Sequence, residues 1–190
     1  AKKRGLPRTF GHAKGIEALV KTSENCREIG VKTMLVYAFS TENWSRPTEE
    51  VEYLMKALIN SLSKYKKKLL KNQTRVIVLG ERDNLPEDVL NTINEVEELT
   101  KDFTSYTLGI CFNYGGRQEI VHATKEICQK VLDGKMSIDD INVNSFEENL
   151  YTYGIDPIDL MVRTSGEIRL SNFLPWQLAY SEFIFTNCYW

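Results

Sequence analysis

The stretch MVRTSGEIRLSNF, residues 161–173, sets Arg163 and Arg169 around a run of small and hydroxyl-bearing side chains. Arginine offers a planar fork of N–H donors that matches phosphate oxygens. A loop that follows a strand adds backbone N–H groups, and Ser171 adds a hydroxyl. Together these groups suit a diphosphate. The plainer reading makes them surface arginines paired with Glu167 and Asp159, an arrangement that contributes little to stability. Residue types alone leave both readings open.

Three further groups carry polar chemistry. STENWSRP (40–47) holds Ser40, Thr41, Glu42, Asn43, Trp44 and Arg46. A tryptophan in such a loop is either a small satellite core or a wall of a ligand pocket, and Arg46 before Pro47 either meets a ligand or braces the next helix. NYGGR (113–117) has no phosphate-loop lysine, and its glycines read more readily as a tight turn with positive φ than as an anion cradle. RTFGH (8–12) places Arg8 and His12 ahead of a helix. His12 there is a helix cap or part of an anion site at the helix N-terminus. His122 lies inside a helical pattern with no ligating partner one turn on, and stays outside the site. No nucleophile elbow, phosphate-binding Walker loop or dinucleotide fingerprint occurs.

The elements that must hold these groups alternate. Ile16, Leu19, Val20, Cys26 and Ile29 share a helical face over 12–29, closed by Gly30. TMLVYAF (33–39) is a continuous apolar run, the signature of a strand buried on both faces. From Thr48, apolar residues keep helical spacing to Leu69, with Glu49 and Glu50 at the start and Lys66, Lys67 and Lys68 near the end, as the helix dipole favours. RVIVLG (75–80), YTLGICF (106–112), IDLMVR (158–163) and FIF (183–185) read as strands. Helices are expected from Pro86 to about Lys101 and from Arg117 to about Val131. Alternation of this kind predicts an α/β fold with a mainly parallel central sheet flanked by helices. Ligands in such folds bind beyond the carboxyl ends of the strands, where the clusters at 40–47, 113–117 and 164–172 fall.

Length and composition fit one domain spanning 1–190, with 42% hydrophobic and 26% charged residues. The net charge of −2, with no basic half, gives no nucleic-acid footprint. Cys26, Cys111, Cys128 and Cys188 form no CxxC pair and read as buried thiols of a reducing compartment. No apolar run is long enough for a transmembrane segment.

Five segments in order, GHAKG, YAFSTENWSRP, NYGGRQEI, RTSGEIRLSNF and WQLAYSEF, resemble the cis-prenyltransferases over nearly the whole chain. The family includes undecaprenyl and dehydrodolichyl diphosphate synthases and their plant relatives. The resemblance implies that an allylic diphosphate loses its diphosphate, isopentenyl diphosphate attacks the resulting carbon, and proton loss leaves a cis double bond. It implies that Arg8 and His12 hold the allylic diphosphate, and that Ser40, Thr41 and Glu42 form a substrate-contacting turn. Asn43 matches the position of the proton acceptor, for which a neutral amide is a weak base, and the diphosphate itself is the other acceptor. Trp44 and Arg46 match substrate-binding positions, and Arg163, Arg169, Leu170 and Ser171 match the isopentenyl diphosphate cradle. Glu182 matches a Mg2+ ligand. A homodimer, with room for peripheral membrane contact, in the cytosol or a plastid, is also implied.

Two departures stand out. Family members carry an Asp-Gly-Asn signature just before the equivalent of AKKRG, its Asp a magnesium ligand, so an ordered fragment of a longer protein, incomplete at both ends, is expected. Ile168 stands where some members have a metal-binding histidine, and Pro175 where an apolar residue is common. Non-catalytic partner subunits of heteromeric cis-prenyltransferases are the alternative, but these lack the RTSGEIR-type segment.

Overall fold

A computed structural model describes Gly5 and residues 8–189, with side chains from Phe10 onward in the first helix. The chain sorts into two compact units. One comprises the residues up to Asn113 together with Cys188 onward, and the other is Tyr114–Asn187.

In the first unit, α1 (Arg8–Glu28) precedes β1 (Thr33–Ser40), a 3-10 helix (Thr41–Ser45) and α2 (Thr48–Lys71). Then follow β2 (Thr74–Leu79), α3 (Glu87–Thr100) and β3 (Tyr106–Tyr114). The sheet order is β1-β3-β2. β2 and β3 are parallel, in register from Thr74 opposite Tyr106 to Leu79 opposite Cys111. Parallel pairing needs a crossover, and α3 supplies it. The core lies between the sheet and α2 and α3, around Phe39, Met55, Leu58, Val76, Ile93 and Phe112. Each contributes roughly 1.5–3 kcal/mol on burial.

Helix α1 starts at Arg8, not at His12, so Gly11 and Gly15 lie within it. Glycine costs about 1 kcal/mol against alanine in a helix interior, which is why the sequence pattern hides this turn. His12 is therefore inside the helix and cannot cap it. Gly30 does end α1. With φ of 91° it lets its N–H reach the Arg27 carbonyl at 3.2 Å, while the Val31 N–H reaches Cys26 at 3.0 Å. This is the paired closure that left-handed residues allow. Ile29, placed on the apolar face by spacing, is 79% exposed beyond the last turn.

β1 is not buried on both faces: Val36 and Phe39 are buried, but Ala38 is exposed. The physical reason is a cavity of about 350 Å³ between α1, α2 and the sheet, lined on the strand side by Val36, Tyr37 and Ala38.

The second unit holds α4 (Gly116–Leu132), a 3-10 turn (Ile138–Asp140), α5 (Val143–Glu147), β4 (Leu160–Arg163) and β5 (Glu182–Phe185). β4 and β5 pair in parallel. Glu119 on α4, only 1% exposed, is its polar hub. Its carboxylate accepts from the Tyr114 hydroxyl at 2.5 Å, the Gln177 amide at 3.0 Å and the Tyr151 N–H at 2.8 Å. A buried carboxylate persists only when its lone pairs are satisfied in this way. His122 stacks on Tyr151 at 5.0 Å, a packing role.

All four cysteines are free. Cys111 is buried, but Cys128, on the outer side of α4, and Cys188, beyond β5, are exposed, contrary to the expectation of buried thiols. No described helix is long and apolar enough to cross a membrane.

Candidate active site

In the first unit, the end of β1 feeds Ser40 into the 3-10 helix. Ser40 donates its N–H to the Asn43 amide oxygen at 3.3 Å, and the Ser45 hydroxyl donates to the Glu42 carbonyl at 2.8 Å. Asn43 thus has its oxygen engaged, so its NH2 group is the part available to a ligand. The Thr41 hydroxyl is buried with no hydrogen-bond partner. A buried unpaired hydroxyl is costly unless something else satisfies it. Tyr37 lines the adjoining cavity. Burial pushes its phenol well above the usual range, the nearby Glu42 charge adds to this, and a hydrogen bond with Ser40 offsets part of it. Tyr37 is therefore a neutral hydroxyl at any physiological pH.

His12 and Arg46 converge on one carboxylate that sequence reasoning passed over. Arg46 donates to Glu50 Oε1 at 2.8 Å, and His12 Nε2 lies 3.4 Å from the same atom. The Glu50 side chain is 10% exposed. Glu50 thus tethers a histidine from α1 and an arginine from the segment before α2. The side chain of Arg8, grouped with His12 in the sequence, lies outside the described residues. Trp44 is 39% exposed and stands edge-on to Phe39 at 5.2 Å. It is neither wholly core nor wholly free.

In the second unit, Arg163 closes β4. Its guanidinium donates to the Arg169 carbonyl and to the Ser171 hydroxyl, the latter at 2.9 Å. Arg169 pairs with Glu167, with side chains 61% and 46% exposed. The surface-pair reading is therefore half right: it describes Arg169, whereas Arg163 organises the loop. An exposed pair of this kind is worth about 0–1 kcal/mol, so parting Arg169 from Glu167 costs little. Leu170 is half-buried, and its carbonyl accepts from the Phe173 N–H at 3.2 Å. Ser165, Gly166, Ser171, Asn172 and Leu174 all have positive φ. Ile168 is 77% exposed.

NYGGR is not a tight turn with left-handed glycines. Gly115 has φ of −153°, and the left-handed residue is Asn113, at 50°. Nor are the first N–H groups of α4 open to an anion. Gly116 donates to the Asn172 carbonyl at 2.8 Å, and Arg117 donates its backbone N–H to the Asn172 side-chain oxygen at 2.8 Å. Gly116 is required for closeness: a Cβ there would lie 1.9 Å from Cδ of Pro175. Asn172 and Pro175 so seat the 164–174 segment on the start of α4.

Glu182 is exposed at the start of β5, its N–H bonded to the Asp159 carbonyl at 2.8 Å. Among the described residues no three His, Cys, Asp or Glu side chains form a metal cluster. A single carboxylate does fit a magnesium ion whose remaining ligands are substrate phosphates and water.

A family model described as "Putative undecaprenyl diphosphate synthase" matches residues 1–190. The chain belongs to this prenyltransferase family. An isoprenyl transferase of Streptococcus mutans is 47% identical over 195 residues, covering 100% of this chain and 78% of that protein. The crystal structure of lavandulyl diphosphate synthase from Lavandula x intermedia, in complex with dimethylallyl diphosphate, superposes with a TM-score of 0.93 at 33% identity. It covers 98% of this chain and 81% of that one. A probable undecaprenyl diphosphate synthase from Campylobacter jejuni gives a TM-score of 0.78 at 33% identity, covering 90% and 80%. The α/β fold with a parallel central sheet and the prenyltransferase class expected from the sequence both hold.

Proposed function

We propose that the protein condenses isopentenyl diphosphate, or a similar five-carbon diphosphate, with an allylic diphosphate to give a cis-prenyl diphosphate. The observation that carries this reading is the cavity of the first unit. It has His12 and Gly11 among its lining residues and is otherwise walled largely by side chains such as Leu54, Leu58, Leu62 and Ile110. An apolar chain with a charged head needs such a space, an apolar wall with polar groups converging where the head lies.

In this reading Arg163, Arg169, Leu170 and Ser171 hold isopentenyl diphosphate. His12, with Arg8, holds the allylic diphosphate, and Ser40, Thr41, Glu42, Trp44 and Arg46 contact the substrates. The Thr41 hydroxyl gains in a ligand the partner it lacks. Asn43 donates its NH2 and orients, since its oxygen is taken by Ser40. A diphosphate oxygen, a better base than an amide, then takes the proton. Glu182 would hold magnesium, which when bound neutralises charge on the leaving diphosphate. In this reading residues 1–190 are one catalytic domain.

The bacterial relatives favour the cytoplasm over a plastid as the setting in this reading. An apolar product makes peripheral membrane contact part of this reading. The non-catalytic partner-subunit reading is disfavoured because the RTSGEIR segment and its arginines are present. Incubation with labelled isopentenyl diphosphate, an allylic primer and magnesium, with products analysed by mass spectrometry, tests the choice. Extended prenyl diphosphates are expected, and their absence with every short allylic primer would leave the partner-subunit reading standing.

We also read the protein as a homodimer. Leu160, Val162, Phe183, Ile184 and Phe185 of β4 and β5 are all more than a third exposed. Leu174 and Leu178, in the stretch that leads into β5, are buried in the protein's own core. Charge-poor apolar surface of this kind is typical of an interface core. Sedimentation at micromolar concentration should give twice the monomer mass, and Phe183→Glu should lower it.

A further inference from the structure

Asn172 takes the N–H groups of Gly116 and Arg117 at the end of NYGGR, and this leaves the role of the segment's first residue to be explained. Asn113 is 3% exposed, at the carboxyl end of β3, with φ of 50°. Left-handed backbone is uncommon outside glycine, and asparagine is among the residues that tolerate it best. All of its side-chain capacity near the strand end is directed. The NH2 group donates to the carbonyls of Glu81 at 2.9 Å and Asp83 at 3.2 Å. The oxygen accepts the indole N–H of Trp44 at 2.8 Å. The backbone carbonyl accepts the Glu81 N–H at 3.1 Å. Gly80 presses against the same turn, since a Cβ there would lie 2.1 Å from the Phe112 carbonyl oxygen.

Trp44 is the exposed end of this assembly. An indole has one donor, and here it is fixed by a buried, twice-anchored amide 69 residues away in sequence. Edge contact with Phe39 fixes the ring plane. Trp44 sits between Asn43 and Arg46, so whatever sets its pose also sets the 3-10 helix that carries them.

We infer that Asn113 is a positioning residue that acts through Trp44: it locks the indole as a rigid wall and thereby fixes the 41–46 turn for its substrate. The inference rests on the prenyl-condensation reading for what Trp44 contacts, but the lock itself is independent of it. Three variants separate the effects. Asn113→Gly keeps the left-handed backbone and removes the amide. Asn113→Asp keeps an acceptor for the indole but sets its second oxygen against the Glu81 and Asp83 carbonyls, and so tests the anchoring. Trp44→Phe removes the donor from the exposed end, where folding is least at risk.

The readouts are the Trp44 indole N–H resonance in 15N-labelled protein, assigned by its loss in Trp44→Phe, and steady-state kinetics with the allylic primer. Asn113→Gly should shift that resonance and speed its hydrogen exchange at least tenfold. It should raise the primer KM about tenfold, with a smaller effect on kcat. Asn113→Asp, which keeps an acceptor for the indole but loses both anchoring donations, should also shift the resonance and raise KM. In the Trp44→Phe background, Asn113→Gly should change KM less than twofold. An unmoved indole signal in Asn113→Gly, or an equally large KM effect without Trp44, would overturn the inference. If the wild type turns over no prenyl substrates, the condensation reading fails, and the indole signal still decides whether Asn113 locks Trp44.

Discussion

Arg163→Ala is expected to raise the KM for isopentenyl diphosphate by about 30-fold or more, and Arg169→Ala to raise it less. Truncating one partner of a desolvated charge pair costs about 2–5 kcal/mol, and about 1.4 kcal/mol is a factor of ten. Arg163 belongs at the upper end for a second reason. It also bonds Ser171 and the Arg169 carbonyl, so its loss releases the loop as well as a charge. Arg169 is largely exposed and already shares its charge with Glu167, so its loss removes less. Steady-state kinetics with the allylic substrate saturating checks both. Unchanged KM and kcat in the two variants would remove the cradle assignment.

The second large effect concerns the cavity. Ala57 on α2 lines it with a small side chain. Ala57→Phe projects a ring into open space rather than into packed core, so it avoids much of the roughly 1–3 kcal/mol that overpacking costs. Products should shift to shorter chains, while the first condensation keeps its rate within about threefold. Mass spectrometry of products from the two proteins, with circular dichroism to confirm folding, gives the answer. An unaltered product distribution in a folded variant would mean that the growing chain lies elsewhere.

What the sequence made legible follows from the range of each interaction. Apolar periodicity, being local and strong, places helices α2 and α3 and strand β3 within a residue or two. Its glycines hide the first turn of α1, and α5 and the 3-10 turn before it are each too short to show a period. In the site, Arg163 and Ser171 could be linked from spacing, since one loop carries both. Glu50, Asn113 and Asn172 could not. They bond to His12, Trp44 and Arg117 across 38, 69 and 55 residues, and only the folded chain brings such pairs together. The left-handed glycines expected in NYGGR are not there: the left-handed residue is Asn113, and the first N–H groups of α4 are taken by Asn172.

The left-handed residues scattered between Ser165 and Leu174 bear on how sequence variation among relatives is interpreted. A side chain in this conformation costs about 1–2 kcal/mol, and only glycine, asparagine and aspartate escape much of it. Leu174 offsets the cost by burial to 1% exposure. Asn172 has a tolerant backbone and two helix N–H groups to satisfy. Natural drift at both positions is therefore confined by backbone geometry and packing, whatever chemistry takes place at neighbouring Arg169 and Ser171. Invariance at Asn172 or Leu174 in an aligned set of sequences would record that confinement, and counting it as evidence of substrate contact would mistake scaffolding for catalysis.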